Sequence, residues 1–239
     1  MPPEDEFDVR PARLDLWRAV EAQHIASTMV LVDTKEEQRV LEDLLEAAKP
    51  ALPVEAAGLH YLLFTPFRYP PLAYGSRFRR RGDAGVFYGA EEIRTACAEL
   101  GYWRWRFLTD SPDLPRLAPA PQTVFQSAVV GRSIDLRRPP LVRRRREWIH
   151  STDYGPCQSL AVAARSAGVA VIRYESVRDP GRGGAAAVLA PAAFVAPAPL
   201  RLETWYLGIT RERVWWVRER FRGEELSFEF ETSAWRESA

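Results

Sequence analysis

Nineteen prolines divide this chain of 239 residues into short segments, and their placement constrains the fold more than any other feature of the sequence. A proline lacks the backbone donor and fixes one torsion angle, so it interrupts helices and central strands. Prolines cluster within residues 50–71 and 112–121, and they leave long irregular connections between short apolar runs. Such connections, together with only a few helices, favour an α+β fold with a mixed sheet over a regular βαβ series.

Three segments have the apolar spacing of helices. Thr34 and Glu37 show the spacing of a capping box, and the apolar residues after them predict an amphipathic helix over residues 34–49. Further helices are predicted over residues 91–100 and 156–167, and Gly168 ends the second of these. Short apolar runs predict strands at residues 59–64, 86–88, 103–107, 123–130, 169–174, 185–189, 202–207, 214–217 and 227–231.

Composition and charge restrict the class of protein. The hydrophobic share of 46% is enough for a substantial core. The formal net charge of +1 gives no bulk excess of positive charge for nucleic acid. Two cysteines without paired spacing argue against a disulfide framework and are typical of a reducing compartment. The acidic first residues and the lack of an 18-residue apolar stretch predict a cytoplasmic protein with no membrane span.

Two arginine runs are candidate binding sites. Residues 77–82, Arg-Phe-Arg-Arg-Arg-Gly, combine forked cations with an aromatic side chain and suit a phosphate or pyrophosphate, although a solvated turn has the same pattern. Residues 143–146 are four arginines near Trp148, a combination that can stack on RNA bases; near-zero net charge favours a solvated or partner-facing surface instead. The three histidines and two cysteines show no metal-ligand spacing, so no metal site is expected.

Spacing alone does not single out a catalytic residue. Glu99 lies on the helix face opposite Ile93 and Ala96, where periodicity predicts a solvated charge. Ser176 follows a predicted strand and has the character of a turn residue. From the residues themselves, both are plausible polar groups near a loop.

Two blocks of the chain, residues 65–100 and 153–180, resemble the RES-domain family in the family's order. The family is named for dispersed arginine, glutamate and serine positions. By this resemblance the arginine falls on Arg77 in Gly-Ser-Arg-Phe, the glutamate on Glu99 in Ala-Cys-Ala-Glu-Leu, and the serine on Ser176 in Tyr-Glu-Ser-Val-Arg. A family tyrosine falls on Tyr88. Shorter members more often have Gly-Gly-Arg-Trp where this chain has Gly-Ser-Arg-Phe.

The resemblance implies a domain similar to ADP-ribosyltransferase toxins, preceded and followed by extensions. Residues 1–55 are expected to form a helical extension packed on the domain, residues 56–195 the RES core, and residues 196–239 a strand-rich extension. The implied activity is that of a toxin which consumes NAD as its substrate, without a further cofactor. The implied protein partner is an antitoxin with an Xre-like helix-turn-helix, and neither direct nucleic-acid binding nor a membrane contact is expected.

Side-chain chemistry suggests a role for each matched position. A carboxylate near the nicotinamide ribose stabilises an oxocarbenium-like transition state, which makes Glu99 the candidate. Arg77, helped by Arg68 or Arg79, would bind the dinucleotide phosphates. Tyr88 would stack on nicotinamide, and Ser176 would hydrogen-bond the substrate. Arg77, Glu99 and Ser176 are the expected catalytic residues, with these arginines and Tyr88 as the substrate-binding set.

The acceptor of the ADP-ribosyl group stays open at this point. Water would make the protein an NAD glycohydrolase, and inorganic phosphate, as a co-substrate, would make it an NAD phosphorylase. A protein acceptor would make it an ADP-ribosyltransferase. An alternative of another class is a non-catalytic RNA- or protein-binding module that uses the arginines of residues 143–146.

Overall fold

The structure is a computed structural model that describes residues 7–22, 32, 34–71, 73–219 and 226–236. The strands within these residues are β1 (Arg10–Glu21), β2 (Phe87–Ala90), β3 (Leu117–Asp135), β4 (Val171–Glu175), β5 (Gly184–Val188), β6 (Arg201–Ile209), β7 (Arg213–Arg218) and β8 (Ser227–Glu231). The α-helices are α1 (Lys35–Ala47), α2 (Tyr61–Arg68), α3 (Ile93–Thr109), α4 (Arg145–Trp148), α5 (Gly155–Ser166) and α6 (Ser233–Arg236).

The long strand β3 organises the sheet. Along one edge it pairs antiparallel with the whole of β1, from Arg10 opposite Ser133 to Glu21 opposite Gln122. Its other edge is shared, because β6 pairs antiparallel with the first half and β4 pairs parallel with the last three residues. One parallel pair among antiparallel ones makes the sheet mixed. The prediction of an α+β fold with a mixed sheet is therefore confirmed.

The strand order is β1-β2-β5-β4-β3-β6-β7-β8, with an additional pairing of β1 to β3. Because β1 also meets β2, through Trp17 opposite Ala90, the first five strands close into a ring. Strands β6 to β8 extend the sheet from β3 by antiparallel pairing. The ring and this extension meet along β3.

Three buried clusters hold helices against the strands. Helix α5 packs Leu160 and Ala164 against Ile172 of β4. Helix α3 packs Trp105 and Leu108 against the indoles and rings of β6 to β8. The third cluster lies between β1, β2, β3 and α2 and contains Leu16, Leu63, Phe67, Phe87, Phe125 and Val129. Burial of large apolar side chains is the main stabilising contribution to such a fold.

Helix α1 forms as the capping-box spacing predicts. The Thr34 side chain accepts from the backbone N–H of Glu37, and the Glu37 carboxylate accepts from the backbone N–H of Thr34. None of the thirteen residues of α1 is buried, and Leu44 is 63% exposed. The helix depends on its cap and its local ion pairs more than on packing.

The strand predicted at residues 59–64 is wrong, because residues 61–64 of this run form the first half of helix α2 and His60 is its N-cap. The His60 side chain accepts from the backbone N–H of Leu62 and so begins the helix. The helix buries Leu62, Leu63 and Phe67 on the side that faces β2. A short apolar run does not by itself distinguish a buried strand from one buried helical turn or two.

The strand predicted at residues 103–107 is also wrong, since α3 continues to Thr109. Alternation of aromatic residues with arginine in Trp-Arg-Trp-Arg-Phe imitates the period of a strand. In the helix, Trp105 and Leu108 point into the core, whereas Trp103 and Phe107 are about half exposed on another face. The irregular connection expected at the prolines of residues 112–121 is shorter, because β3 begins at Leu117.

The expected helical character of residues 1–55 is wrong for the segment that forms β1. Every residue of β1 pairs with β3, so this part of the chain belongs to the sheet. The strands predicted at 86–88, 123–130, 169–174, 185–189, 202–207, 214–217 and 227–231 are confirmed within two residues or as parts of longer strands. The predicted helices at 91–100 and 156–167 are confirmed. The division into residues 1–55, 56–195 and 196–239 stays a prediction.

We expect β1 to be essential for stability because Leu16 is fully buried against the ring of strands. The substitution Leu16→Ala should lower the free energy of unfolding by about 2–5 kcal/mol, as measured by urea denaturation. Leu202→Ala on β6 is the control, since Leu202 is 56% exposed, and it should change stability by about 0.5 kcal/mol or less. Equal effects of the two substitutions would contradict the assignment of β1 to the core.

Candidate functional site

A cavity of about 670 Å³ opens between β1, β2, helix α3 and the loops around residues 69–79 and 177–178. This volume falls within the usual range of small-molecule sites. About half of the residues that line it have polar or aromatic side chains. They include Trp17, Arg18, Tyr69, Ser76, Arg77, Arg79, Tyr88, Glu99, Trp103, Tyr154, Tyr174 and Arg178.

The structure brings Glu99 and Ser176 together although 77 residues separate them. Glu99 lies on α3 and faces the cavity, and Ser176 follows β4 and is fully buried. The Ser176 Oγ donates to Glu99 Oε1 at 2.6 Å. The expectation that Glu99 is solvated is wrong: α3 is covered on more than one side, so the face opposite Ile93 also meets the protein.

The direction of the Ser176 hydroxyl proton follows from its other two contacts. Ser176 Oγ accepts from the backbone N–H of Arg178 at 3.2 Å and from that of Asp179 at 3.0 Å. A hydroxyl has two lone pairs and one proton. Both lone pairs are thus occupied, and the proton must point to the Glu99 carboxylate.

Burial raises the pKa of Glu99 above its ordinary value, since the charged form loses hydration in the site. The hydrogen bond from Ser176 and the charges of Arg178 and Arg77 act in the opposite direction, and Asp179 adds to the increase. The carboxylate is therefore held by donors and cations in a partly dehydrated position. Such a perturbed acid in a cavity is typical of a functional site.

The tight turn that carries Arg77 explains the Gly-Ser-Arg-Phe sequence. Ser76 and Arg79 exchange backbone hydrogen bonds, and Gly75 has a φ of 73°. A Cβ at Gly75 would lie 2.2 Å from the Arg79 carbonyl oxygen, so only glycine fits there. The turn directs Arg77 into the site, where it is 9% exposed. Its Nη1 donates to the Trp148 carbonyl at 2.8 Å, and its guanidinium lies 4.8 Å from the Tyr154 ring centre.

Tyr88 stands on β2 beside this turn. Its hydroxyl accepts from the backbone N–H of Phe78 at 2.9 Å and shares a 2.8 Å hydrogen bond with Ser76 Oγ. Burial is the main cause that raises the pKa of Tyr88. The hydroxyl group therefore stabilises the turn that carries Arg77, while the ring lines the cavity.

The two further arginines expected to bind substrate have different surroundings. Arg79 lines the cavity and donates to the carbonyls of Tyr69 and Asp83. Arg68 is not among the cavity-lining residues, because its guanidinium donates to the Glu46 carboxylate and the Pro50 carbonyl. Arg68 therefore joins α2 to the end of α1 through these hydrogen bonds.

Sequence reasoning missed two arginines of the cavity. Arg18 on β1 donates through Nη1 to the Tyr88 carbonyl at 2.8 Å, and its buried Nε has no hydrogen-bond partner within the described part of the chain. Burial lowers the pKa of Arg18 to about 10. Arg178 is 4% exposed; it donates to the Ser151 carbonyl and lies 3.9 Å from the Tyr102 ring centre. An isolated arginine in an apolar strand, Trp-Arg-Ala-Val, was the available signal for Arg18.

The arginine run at residues 143–146 lies apart from the residues that line this cavity. Arg144 forms a bidentate pair with Glu147, and Arg145 forms one with Glu175. These pairs neutralise half of the positive charge on which an RNA-binding surface would depend.

Within the described ranges, no group of three or more His, Cys, Asp and Glu side chains is placed to hold a metal ion. Among the same residues, no helix is both long and apolar enough to span a bilayer. Cys97 and Cys157 are both buried free thiols.

Comparison with known proteins gives a family match. A family model described as the RES domain matches residues 52–215, which is more than half of the chain. No curated protein matches the chain. A chain from the crystal structure of the M. tuberculosis MbcT-MbcA toxin-antitoxin complex is similar at 12% sequence identity and a TM-score of 0.46, over 96% of this chain and 91% of that one. Arg77, Tyr88, Glu99, Ser176 and Arg178 lie inside the matched range, and Arg18 lies before it.

The raised pKa of Glu99 makes its ionisation unfavourable for folding. When the pKa of a carboxyl is higher in the folded than in the unfolded state, the protonated form stabilises the fold. This stabilisation is fully present below the unfolded-state pKa, and it is lost as the pH rises through the folded-state pKa. Glu99→Gln stays neutral and keeps an acceptor for Ser176. At pH 8 it should therefore unfold at a higher urea concentration than the unmodified protein, and this gain should disappear at low pH.

Glu92→Gln is the matched control, since Glu92 is exposed at the beginning of the same helix. It should show no such pH-dependent gain. A Glu99→Gln protein that is less stable at pH 8 would indicate that the arginines, and not burial, dominate the pKa of Glu99.

Proposed function

This chain belongs to the RES-domain family, and on that premise we propose that it cleaves the bond between nicotinamide and ribose in NAD. The observation that carries the proposal is the convergence of one carboxylate and four guanidinium groups on a single cavity. Glu99 is the carboxylate, and the cations are Arg18, Arg77, Arg79 and Arg178. A dinucleotide needs both kinds of group, a negative charge at the reacting ribose and positive charges at the pyrophosphate.

Glu99 would stabilise the transition state. Loss of nicotinamide leaves positive charge on C1′ and the ring oxygen of the ribose, and a carboxylate close to that ring lowers the energy of this species. Ser176 fixes the carboxylate through the 2.6 Å hydrogen bond, so the group need not reorganise during the reaction. The aromatic lining supplies rings, among them Tyr88, on which nicotinamide can stack.

The arginines would bind the pyrophosphate. Arg18 and Arg77 each donate a hydrogen bond through Nη1 to a backbone carbonyl, and this bond fixes the side chain. The buried Nε–H of Arg18 has no hydrogen-bond partner among the described residues. A phosphate oxygen would satisfy this donor and offset the cost of burying the charge.

In the second half of the reaction, an acceptor forms a new bond to C1′ of the ribose. Attack by water gives ADP-ribose, and attack by inorganic phosphate gives the 1-phosphate of ADP-ribose; in both cases nicotinamide leaves with the electron pair of the broken bond. The proposed enzyme is therefore an NAD glycohydrolase or an NAD phosphorylase. The acceptor is a question for the experiment below.

The cellular role follows from family membership. An enzyme of this kind would deplete the NAD pool of the cytoplasm and arrest growth, so we propose that the protein is the toxin of a toxin-antitoxin pair. Its partner would be an antitoxin with an Xre-like helix-turn-helix. Expression of the chain alone should stop growth, and co-expression with a cognate antitoxin should restore it.

The direct test is nicotinamide release from NAD by the purified protein, with and without inorganic phosphate. Glu99→Gln should reduce the rate about 10²- to 10³-fold, the usual loss when one preorganised electrostatic group is removed. Glu92→Gln should keep the rate. A phosphate requirement would identify a phosphorylase, whereas covalent label on a protein from labelled NAD would replace the proposal with ADP-ribosyl transfer. No release under any condition would refute NAD cleavage.

A second test concerns Arg18. Arg18→Gln should raise the KM for NAD about tenfold with a smaller change in kcat, because a phosphate contact is made in both the ground state and the transition state. Arg13→Gln on the same strand removes an equal charge from an exposed position and should leave KM unchanged. Equal values of KM for the two variants would remove Arg18 from the proposed binding site.

A further inference from the structure

Trp235 connects the C-terminal end of the described chain to the candidate site. It lies in α6, beyond the range matched by the family model, and its side chain is 2% exposed. Its indole Nε1 donates to the carbonyl oxygen of Arg178 at 2.6 Å in the interior. The ring packs at 5.7 Å from the Tyr102 ring centre and at 5.6 Å from that of Trp105.

A continuous chain of hydrogen bonds runs from this indole to the carboxylate. The carbonyl of Arg178 and the N–H of Asp179 belong to one peptide group. That N–H donates to Ser176 Oγ at 3.0 Å, and the Ser176 hydroxyl donates to Glu99 at 2.6 Å. Every bond points in the same direction, from the indole N–H towards the carboxylate.

Such a chain is cooperative. A donor on a peptide carbonyl polarises the N–H of the same peptide, and that N–H in turn makes the serine hydroxyl a stronger donor. The effect of each bond on the next is of the order of 10–30% in condensed phase. The low polarity of the surroundings, with Ser176 and Asp179 almost completely buried, favours this transmission.

We propose that Trp235 is a positioning residue of this site, which orients the Ser176 hydroxyl on the Glu99 carboxylate through the peptide group between Arg178 and Asp179. The consequence for catalysis rests on the proposed function; the connection itself does not. The C-terminal segment would thereby control how readily the Glu99 carboxyl stays ionised.

The other groups that face Glu99 have anchoring contacts of their own, apart from the Trp235 indole N–H. Arg77 comes from the turn after Gly75, and Tyr174 comes from β4. The Arg178 guanidinium is fixed by Tyr102, Ser151 and Tyr154, and the Asp179 carboxylate accepts from Thr95 Oγ1 at 2.7 Å. Trp235→Phe therefore removes one donor and leaves these charges in place.

The experiment compares Trp235→Phe with Trp105→Phe. Trp105 is the matched control, because its indole lies in the same aromatic cluster and donates to the Arg211 carbonyl at 3.3 Å. Among the described residues, this indole N–H makes no hydrogen bond to the site. The carboxyl of Glu99 is followed by carbon-13 NMR in glutamate-labelled protein, with Glu99→Gln to assign the signal. We expect Trp235→Phe to raise the pKa of Glu99 by a few tenths of a unit, and Trp105→Phe to leave it unchanged.

Nicotinamide release gives the second measurement. The acid limb of its pH profile should move to higher pH by the same amount in Trp235→Phe, and kcat on the plateau should fall about twofold, the rate equivalent of a few tenths of a pKa unit. In a Ser176→Ala background the chain is already interrupted, so adding Trp235→Phe should have no further effect on the pKa of Glu99. An unchanged pKa in Trp235→Phe, or equal shifts in the two tryptophan variants, would overturn the proposal.

Failure of the proposed function would be distinguishable. A protein that releases no nicotinamide, but whose Glu99 pKa responds to Trp235→Phe and not to Trp105→Phe, would refute NAD cleavage and leave the connection intact. Release of nicotinamide with no response of that pKa to Trp235→Phe would do the opposite.

Discussion

The hydrogen bond from Ser176 to Glu99 is the contact on which the arrangement of the site depends. It is short and joins α3 to the loop after β4. The two lone pairs of the serine oxygen accept hydrogen bonds from two backbone N–H groups. A half-buried carboxylate without such a donor would take up a proton more readily. The helix, the loop and the sheet between them must all be in place before this bond can form.

The arginines of the site show how the fold holds positive charge near that carboxylate. Each is fixed by a backbone carbonyl or an aromatic ring: Arg18 by Tyr88, Arg77 by Trp148 and Tyr154, and Arg178 by Ser151 and Tyr102. Rigid cations lose little entropy when an anion binds. Burial of these charges and of Glu99 costs stability, and such a cost is common where a site is organised for binding or catalysis.

Segments outside the matched family range take part in the same site. Strand β1 supplies Arg18 and closes the ring of strands, and α6 supplies the indole donor on Arg178. Strand β1 lines the cavity and packs on β3, whereas Trp235 packs on the rings of α3 and contacts the loop that carries Arg178. Segments before and after the matched range thus contribute to the surroundings of one site.

The sequence by itself determined the class of fold, the strands after residue 120 and the capped helix α1. Local signals were sufficient for these elements, since caps, turns and strand periods act over a few residues. The positions Arg77, Tyr88, Glu99 and Ser176 came from the family resemblance, and their roles stay predictions. Only the tertiary structure decided that residues 61–64 and 103–107 are helical, that Glu99 is partly buried, and that Arg18 enters the cavity while Arg68 does not. These outcomes depend on which surfaces of distant segments meet, and pairing between residues many positions apart leaves no periodic trace in a single sequence.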